Sequence, residues 1–84
     1  IYRMTISKVD GYDASKKLAG AKFILTTAND PNTVLKTYTS DSNGIIVIDG
    51  SEVTLYSEKQ YRLKEIEAPY GYELIDFDYL IDYI

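Results

Sequence analysis

The sequence predicts an all-β sandwich, and three observations lead to this prediction. Apolar and polar residues alternate along several short stretches, as they do on strands that bury one face. Clusters of Gly, Pro, Asn, Asp and Ser, which favour turns, separate these stretches. No stretch carries a convincing helical period. With 84 residues, 45% of them apolar, the chain is long enough for one small domain with a modest core.

The expected strands follow from this alternation, in chain order. The first covers residues 1–10, where Tyr2, Met4 and Ile6 form an apolar face that Lys8 continues. Further strands are expected at residues 21–27, 33–39, 45–48, 59–67 and 75–84. Residues 51–60 are ambiguous, since Val53 and Leu55 either extend a strand or cover one end of the core.

The clearest turn signal is Asn43–Gly44, which follows Ser40, Asp41 and Ser42. An Asn-Gly pair readily supplies the positive φ angles of a tight hairpin. We therefore expect a hairpin between the third and fourth strands.

Two charged residues stand on faces that should be apolar. Alternation places Tyr61, Leu63 and Glu65 on the inner face of the fifth strand, and it places Lys8 on the inner face of the first. A buried carboxylate is costly unless it is protonated or paired. Lys8 and Glu65 are therefore predicted to lie buried side by side on neighbouring strands.

Composition and charge argue against several classes of function. The net charge is −4 without a basic cluster, which argues against nucleic-acid binding, and no apolar run is long enough to insert into a membrane. The chain has no Cys and no His, so it lacks disulfides, thiol chemistry and the commonest metal ligand. We expect no cofactor and no metal. The chain starts directly in a strand pattern, so we expect a segment of a longer protein.

Four segments carry a family resemblance, and they follow one another in the order Lys8-Val9-Asp10, residues 18–25, residues 39–44 and residues 61–74. The last contains the specific pattern Tyr-x-Leu-x-Glu-x-x-Ala-Pro-x-Gly-Tyr. The sequence thereby resembles, over almost its whole length, the Cna B-type (SpaA-like) domains of Gram-positive pilins and collagen-adhesin-like surface proteins. This resemblance implies one domain over residues 1–84, with an immunoglobulin-like or prealbumin-like sandwich of about six or seven strands.

The resemblance also implies a function. Such domains are structural stalk or repeat units of extracellular, cell-wall-anchored proteins, and their partners are neighbouring domains of the same surface protein. Many form an intramolecular isopeptide bond between a Lys on the first strand and an Asn or Asp on the last, assisted by the Glu of Glu-x-x-Ala-Pro. By position, Lys8 matches the nucleophile and Glu65 matches the assisting acid.

This assignment agrees with simple chemistry. An ammonium group must lose its proton before it attacks a carbonyl, and burial disfavours its charged form. A protonated carboxyl group can hydrogen-bond the acceptor carbonyl and carry protons, while fixed proximity removes much of the barrier. The reaction turns over once, so the domain is not expected to be an enzyme in the usual sense. The alternative is a buried ion pair between Lys8 and Glu65 that never reacts.

The acceptor is the open point. No Asn follows Asn43, which leaves Asp76, Asp78 and Asp82 as late candidates. Either Asp82 faces inward and is the acceptor, or all three Asp residues lie in solvent while the core face consists of Phe77, Tyr79, Ile81 and Tyr83.

If Asp82 is the acceptor, its bond to Lys8 closes a loop of roughly 75 residues and stabilises the fold by about 4–5 kcal/mol. If it is not, the domain lacks its last strand within these residues. The open edge would then accept a complementary C-terminal strand that carries the acceptor.

A different function class is an adhesive module, in which loops or a Tyr-rich face bind a host protein or glycan. Alanine changes at exposed tyrosines separate the two classes. Other patterns are weaker: nothing places Glu65 and Glu67 across a glycosidase cleft, and residues 41–44 lack the bidentate Glu of a calcium loop.

Overall fold

A computed structural model describes residues 3–56 and 58–83, which form two antiparallel sheets. The strands are β1 (Arg3–Ser7), β2 (Lys22–Thr27), β3 (Lys36–Thr39), β4 (Ile45–Asp49), β5 (Lys59–Glu67) and β6 (Tyr79–Tyr83). β1 pairs with β4, and the second sheet has the order β3-β2-β5-β6. The all-β prediction is confirmed. Within the described ranges, no helix is long and apolar enough to cross a membrane.

Four strands are shorter than predicted, although β2 loses only its first residue and begins at Lys22. β1 ends at Ser7, β3 begins only at Lys36, and β6 begins only at Tyr79. In the segment before β6, the Ile75 N–H donates to the Glu65 carboxylate rather than to a neighbouring strand. Tyr2 and Ile84, which the predicted first and last strands included, lie outside the described residues.

The core lies between the sheets and follows the predicted alternation. Its buried members include Phe23 and Leu25 on β2, Ile46 and Ile48 on β4, and Tyr61 and Leu63 on β5. Leu25 lies opposite Leu63 in the β2–β5 register. Val53 and Leu55 belong to no strand, and both pack against the core. They therefore cover one end of it, which was one of the two alternatives.

The predicted hairpin at Asn43–Gly44 is a turn between sheets instead. β3 and β4 do not pair with each other. Asp41 organises the turn: its carbonyl accepts the Gly44 N–H at 2.8 Å, and its carboxylate accepts the Asn43 and Ile45 N–H groups at 2.8 and 2.9 Å. Gly44 has a φ of 74°, so the glycine supplies the positive φ that carries the chain from one sheet to the other.

Glu58 offers a stabilising substitution, because it is the only non-glycine residue of the described ranges with a positive φ, at 62°. That backbone conformation costs an L side chain about 1–2 kcal/mol, whereas glycine loses about 0.5–1 kcal/mol in chain entropy. We expect Glu58→Gly to raise the free energy of unfolding by up to about 1 kcal/mol, measured by urea denaturation. Lys59→Gly, in the adjoining strand β5, should destabilise. Equal destabilisation by both variants would contradict this reading of Glu58.

Candidate functional site

Lys8 follows directly after β1, and its backbone is held from two sides. Its N–H donates to the Gly44 carbonyl at 2.6 Å, and its carbonyl accepts the Leu18 N–H at 2.9 Å. A Cβ at Gly44 would lie only 2.5 Å from the Lys8 carbonyl oxygen. These contacts therefore fix the backbone position from which the Lys8 side chain extends.

Glu65 lies on β5 opposite Phe23 of β2, and its side chain is fully buried, with 0% exposed. Oε1 accepts the backbone N–H of Ile75 at 3.0 Å. Oε2 has no hydrogen-bond donor among the described residues. A buried carboxylate with one satisfied oxygen and one open oxygen is costly, so the open oxygen needs an electrostatic partner.

That partner is the Lys8 ammonium, whose Nζ lies 3.2 Å from Glu65 Oε2. The Lys8 side chain is only 16% exposed. The two groups form an ion pair by distance, although Oε2 accepts no aligned hydrogen bond from the described residues. The expectation of neighbouring strands is wrong, because β1 and β5 belong to different sheets and the two side chains meet across the sandwich.

The segment between β5 and β6 is tied to the segment after Lys8. Tyr72 Oη donates to Asp10 Oδ2 at 2.7 Å, and the Lys16 ammonium lies 5.9 Å from the centre of the Tyr72 ring. Sequence reasoning missed this contact. Asp10 belongs to the Lys-x-Asp segment and Tyr72 to the Gly-Tyr segment, and both segments carry the family resemblance. This was the one feature of the sequence that could have pointed to their contact.

Asp10 should contribute to the acid sensitivity of the fold. The Tyr12 backbone N–H, and then the Tyr72 hydroxyl, hold the pKa of its carboxyl below the usual 3.8. A depressed pKa stabilises the folded state above the unfolded pKa, and this stabilisation is lost as the pH falls through the folded value. We expect thermal stability to fall between about pH 5 and pH 2 and to fall less in Asp10→Asn. An equal loss in both proteins would contradict this role of Asp10.

An apolar groove of about 260 Å³ opens beside the ion pair, between β1 and β6. Each of these strands lies at the edge of its sheet. The apolar residues that line the groove include Met4, Ile6, Phe23, Leu63, Tyr79 and Ile81, and Lys8 lies at its wall. Lys8 also borders a second opening, of about 380 Å³, toward Val9 and Tyr72. Lys8 therefore borders two spaces that have room for further side chains.

The structure does not bring Asp82 to this pair. Asp82 is exposed and lies opposite Gln60 on β5, where Gln60 Nε2 donates to its Oδ1 at 2.9 Å. Ile81 and Tyr83, its neighbours along β6, pack against the core instead. The inward-facing alternative for Asp82 is thus wrong, because strand alternation turns it to the outer face and away from Lys8.

The other late carboxylates lie elsewhere as well. Asp78 pairs with Arg62, with 2.9 Å between Oδ2 and Nη1, and Asp76 is exposed. Within residues 3–56 and 58–83, no group of acidic residues is arranged to hold a metal ion.

Comparison with known proteins found a matching family and similar solved structures. The family described as SpaA, prealbumin-like fold domain, matches residues 2–82. The structure of the Bacillus anthracis TIE protein matches with a TM-score of 0.75 at 23% identity, covering 95% of this chain and 14% of that one. At that identity, the likeness concerns the fold alone.

The pilus 2b backbone protein of group B streptococcus matches with a TM-score of 0.72 at 34% identity, covering 95% of this chain and 32% of that one. The chain therefore spans less than a third of the length of the pilus protein and about a seventh of the TIE protein. No curated protein sequence matched the chain.

Proposed function

Because the chain belongs to the SpaA family of prealbumin-like fold domains, we propose that it is a structural stalk or repeat domain of a surface protein or pilin. The similarity to a pilus backbone protein over 95% of this chain supports this role. The partners are then neighbouring domains of the same surface protein, and the location is the cell wall of a Gram-positive bacterium.

We further infer that Lys8 forms an intramolecular isopeptide bond with an Asn or Asp side chain, assisted by Glu65. The observation that carries this inference is the 3.2 Å approach of Lys8 Nζ to the fully buried Glu65 Oε2. Buried ion pairs are often no more stabilising than apolar packing. Stability alone therefore explains poorly why Lys8 and Glu65 lie beside an apolar groove. Their participation in bond formation explains it better.

The chemistry requires two proton movements. Lys8 passes a proton to Glu65 Oε2, which leaves a neutral amine and a neutral carboxyl group. The carboxyl group hydrogen-bonds the acceptor carbonyl while the amine nitrogen attacks the carbonyl carbon. As the new C–N bond forms and the acceptor's own C–N or C–O bond breaks, Glu65 gives its proton to the leaving group and takes up the further proton that the amine loses. An Asn acceptor releases ammonia, and a protonated Asp acceptor releases water.

The groove between β1 and β6 supports the proposal that the acceptor Asn or Asp lies on a further strand. Its apolar lining and its volume of about 260 Å³ suit alternate side chains of an extended segment that pairs with a sheet edge. A complementary C-terminal strand in this groove would bring its acceptor beside Lys8. The bond would then tie the first strand to the last, and a pulling force would load the covalent link rather than peel the strands apart.

The intact mass of the natural full-length protein tests this function. The wild type should be lighter than its sequence mass by one water or one ammonia, and Lys8→Ala should restore the full mass after allowance for the substitution. Glu65→Gln should also leave the bond unformed, because an amide cannot exchange these protons. A full, unmodified wild-type mass would overturn the cross-link and leave a buried ion pair.

A second candidate function, adhesion, rests on two exposed rings. Tyr12 and Tyr70 are fully exposed on loops, and aromatic side chains on loops favour binding of a host protein or glycan. Alanine substitution of either residue should abolish that binding with the fold intact if the domain is an adhesin. Tyr56→Ala, which removes another exposed ring from the connection between β4 and β5, is the matched control.

A further inference from the structure

We propose that Tyr72 is a positioning residue for Glu65, acting through the loop that supplies the Ile75 N–H. The hydrogen bond from Tyr72 to Asp10 fixes residues 72–75, which keeps the Ile75 N–H on Glu65 Oε1 and leaves Oε2 for Lys8. This inference rests on the proposed cross-linking function, and it assigns a role to a residue that does not touch the reacting atoms.

Three contacts close a ring around the site. Tyr72 Oη lies 2.7 Å from Asp10 Oδ2, the Ile75 nitrogen lies 3.0 Å from Glu65 Oε1, and Glu65 Oε2 lies 3.2 Å from Lys8 Nζ. Short chain segments complete the ring, because Asp10 is two residues after Lys8 and Ile75 is three residues after Tyr72. Lys8 and Glu65 are thus linked twice. One link is their ion pair, and the other runs through Asp10, Tyr72 and Ile75.

The Ile75 N–H makes the two carboxylate oxygens different. The terminal torsion of a Glu side chain is broad, so an unrestrained carboxyl group presents either oxygen to Lys8. A backbone N–H on Oε1 stops that rotation and occupies Oε1 as an acceptor. The proton from Lys8 is then carried on Oε2, the oxygen that faces the ammonium.

The Tyr72–Asp10 bond is placed to hold this N–H in position. Residues 68–78 lie between β5 and β6 and belong to no strand, so sheet pairing does not fix them. Asp10 itself is well anchored, since its Oδ1 accepts the N–H groups of Tyr12 and Asp13 at 2.8 and 3.1 Å. Its other oxygen is therefore held toward the Tyr72 hydroxyl.

The first experiment compares Tyr72→Phe with Tyr70→Phe in the 84-residue chain. Tyr72→Phe removes only the hydroxyl and keeps the ring beside Lys16, whereas Tyr70 is fully exposed and serves as the matched control. NMR measures the amide exchange of Ile75 and the scalar coupling between its nitrogen and Glu65 Cδ. Only Tyr72→Phe should reduce the coupling and speed Ile75 exchange, by about three- to tenfold, as expected for the loss of one hydrogen bond.

Exchange at Leu25 and Leu63 reports whether the core remains folded in the same samples. It should be unchanged in Tyr72→Phe, which separates a local effect from general destabilisation. Unchanged coupling and unchanged Ile75 exchange in Tyr72→Phe would show that the Tyr72–Asp10 hydrogen bond does not hold the Ile75 N–H in place, and would overturn the proposal.

The second experiment follows the loss of water or ammonia with time after cell-free synthesis of the full-length protein. Tyr72→Phe should slow this step by about tenfold relative to Tyr70→Phe, because misplacement of a reacting group costs rate steeply. If the wild type cross-links and Tyr72→Phe reacts at the control rate, the positioning role is overturned and the proposed function stands. If the wild type never cross-links, the proposed function fails, and the positioning role fails with it.

Discussion

Replacing Glu65 by Ala should lower the free energy of unfolding of the uncross-linked 84-residue chain by about 3 kcal/mol. The substitution leaves the Lys8 ammonium, on a side chain only 16% exposed, without its counter-charge. It also removes the acceptor of the Ile75 N–H, and an unsatisfied buried donor carries its own cost. Urea denaturation followed by circular dichroism measures the effect.

Glu67→Ala is the matched control, two residues along the same strand. Glu67 lies 3.7 Å from Lys22 with 60% of its side chain exposed, so its loss should cost no more than about 0.5 kcal/mol. The double variant Lys8→Met, Glu65→Leu should recover most of the stability, because apolar side chains of similar volume commonly replace a buried pair without loss. A Glu65→Ala variant as stable as Glu67→Ala would refute the buried pair.

Replacing Gly44 by Ala should cost about 3 kcal/mol or slightly more in the free energy of unfolding, from two causes. Its φ of 74° strains an L residue by about 1–2 kcal/mol. In addition, the new Cβ would lie 2.5 Å from the Lys8 carbonyl oxygen and 3.0 Å from the Leu18 nitrogen. Both are backbone atoms, so the segments that carry Lys8 must move apart.

Gly71→Ala separates the two causes. Its φ of 86° imposes a similar backbone strain, but no atom of the described residues, apart from its chain neighbours, lies within 4 Å of the added Cβ. Only about 1–2 kcal/mol should therefore be lost. The difference between the two variants in urea denaturation measures the close approach of Gly44 to Lys8. Equal losses of unfolding free energy in the two variants would mean that the close contact between Gly44 and the Lys8 carbonyl adds nothing to the cost.

The inner face of β5 was predictable from sequence because strand side chains alternate with a period of two. Tyr61 and Leu63 mark the buried face, and Glu65 must share it. β6 was harder to assign, because apolar residues occur on both of its faces: Leu80 points the same way as Asp82, while Ile81 points inward. The pairing of Gln60 with Asp82 decides which face of β6 is turned inward. This register could not be predicted from the alternation pattern of the sequence.

The site also depends on contacts that residue types do not encode. The donor to Glu65 Oε1 is the backbone N–H of Ile75, a group that nearly every residue carries. Asp10 and Tyr72 are 62 positions apart in the chain, and nothing in either local pattern indicates the other. The assignment of β3 and β4 to different sheets is likewise a long-range property, so the local turn signal at Asn43–Gly44 predicted the bend correctly and its pairing wrongly.

Acylation of Lys8 is most directly tested by a tryptic digest of the natural full-length protein, read by tandem mass spectrometry. Trypsin cleaves after an unmodified lysine, but not after one whose amine is in an amide. With the bond formed, cleavage after Arg3 and Lys16 should yield a branched species, residues 4–16 joined through Lys8 to a second peptide that contains the acceptor Asn or Asp. Free peptide 4–8, released in full yield, would contradict the cross-link.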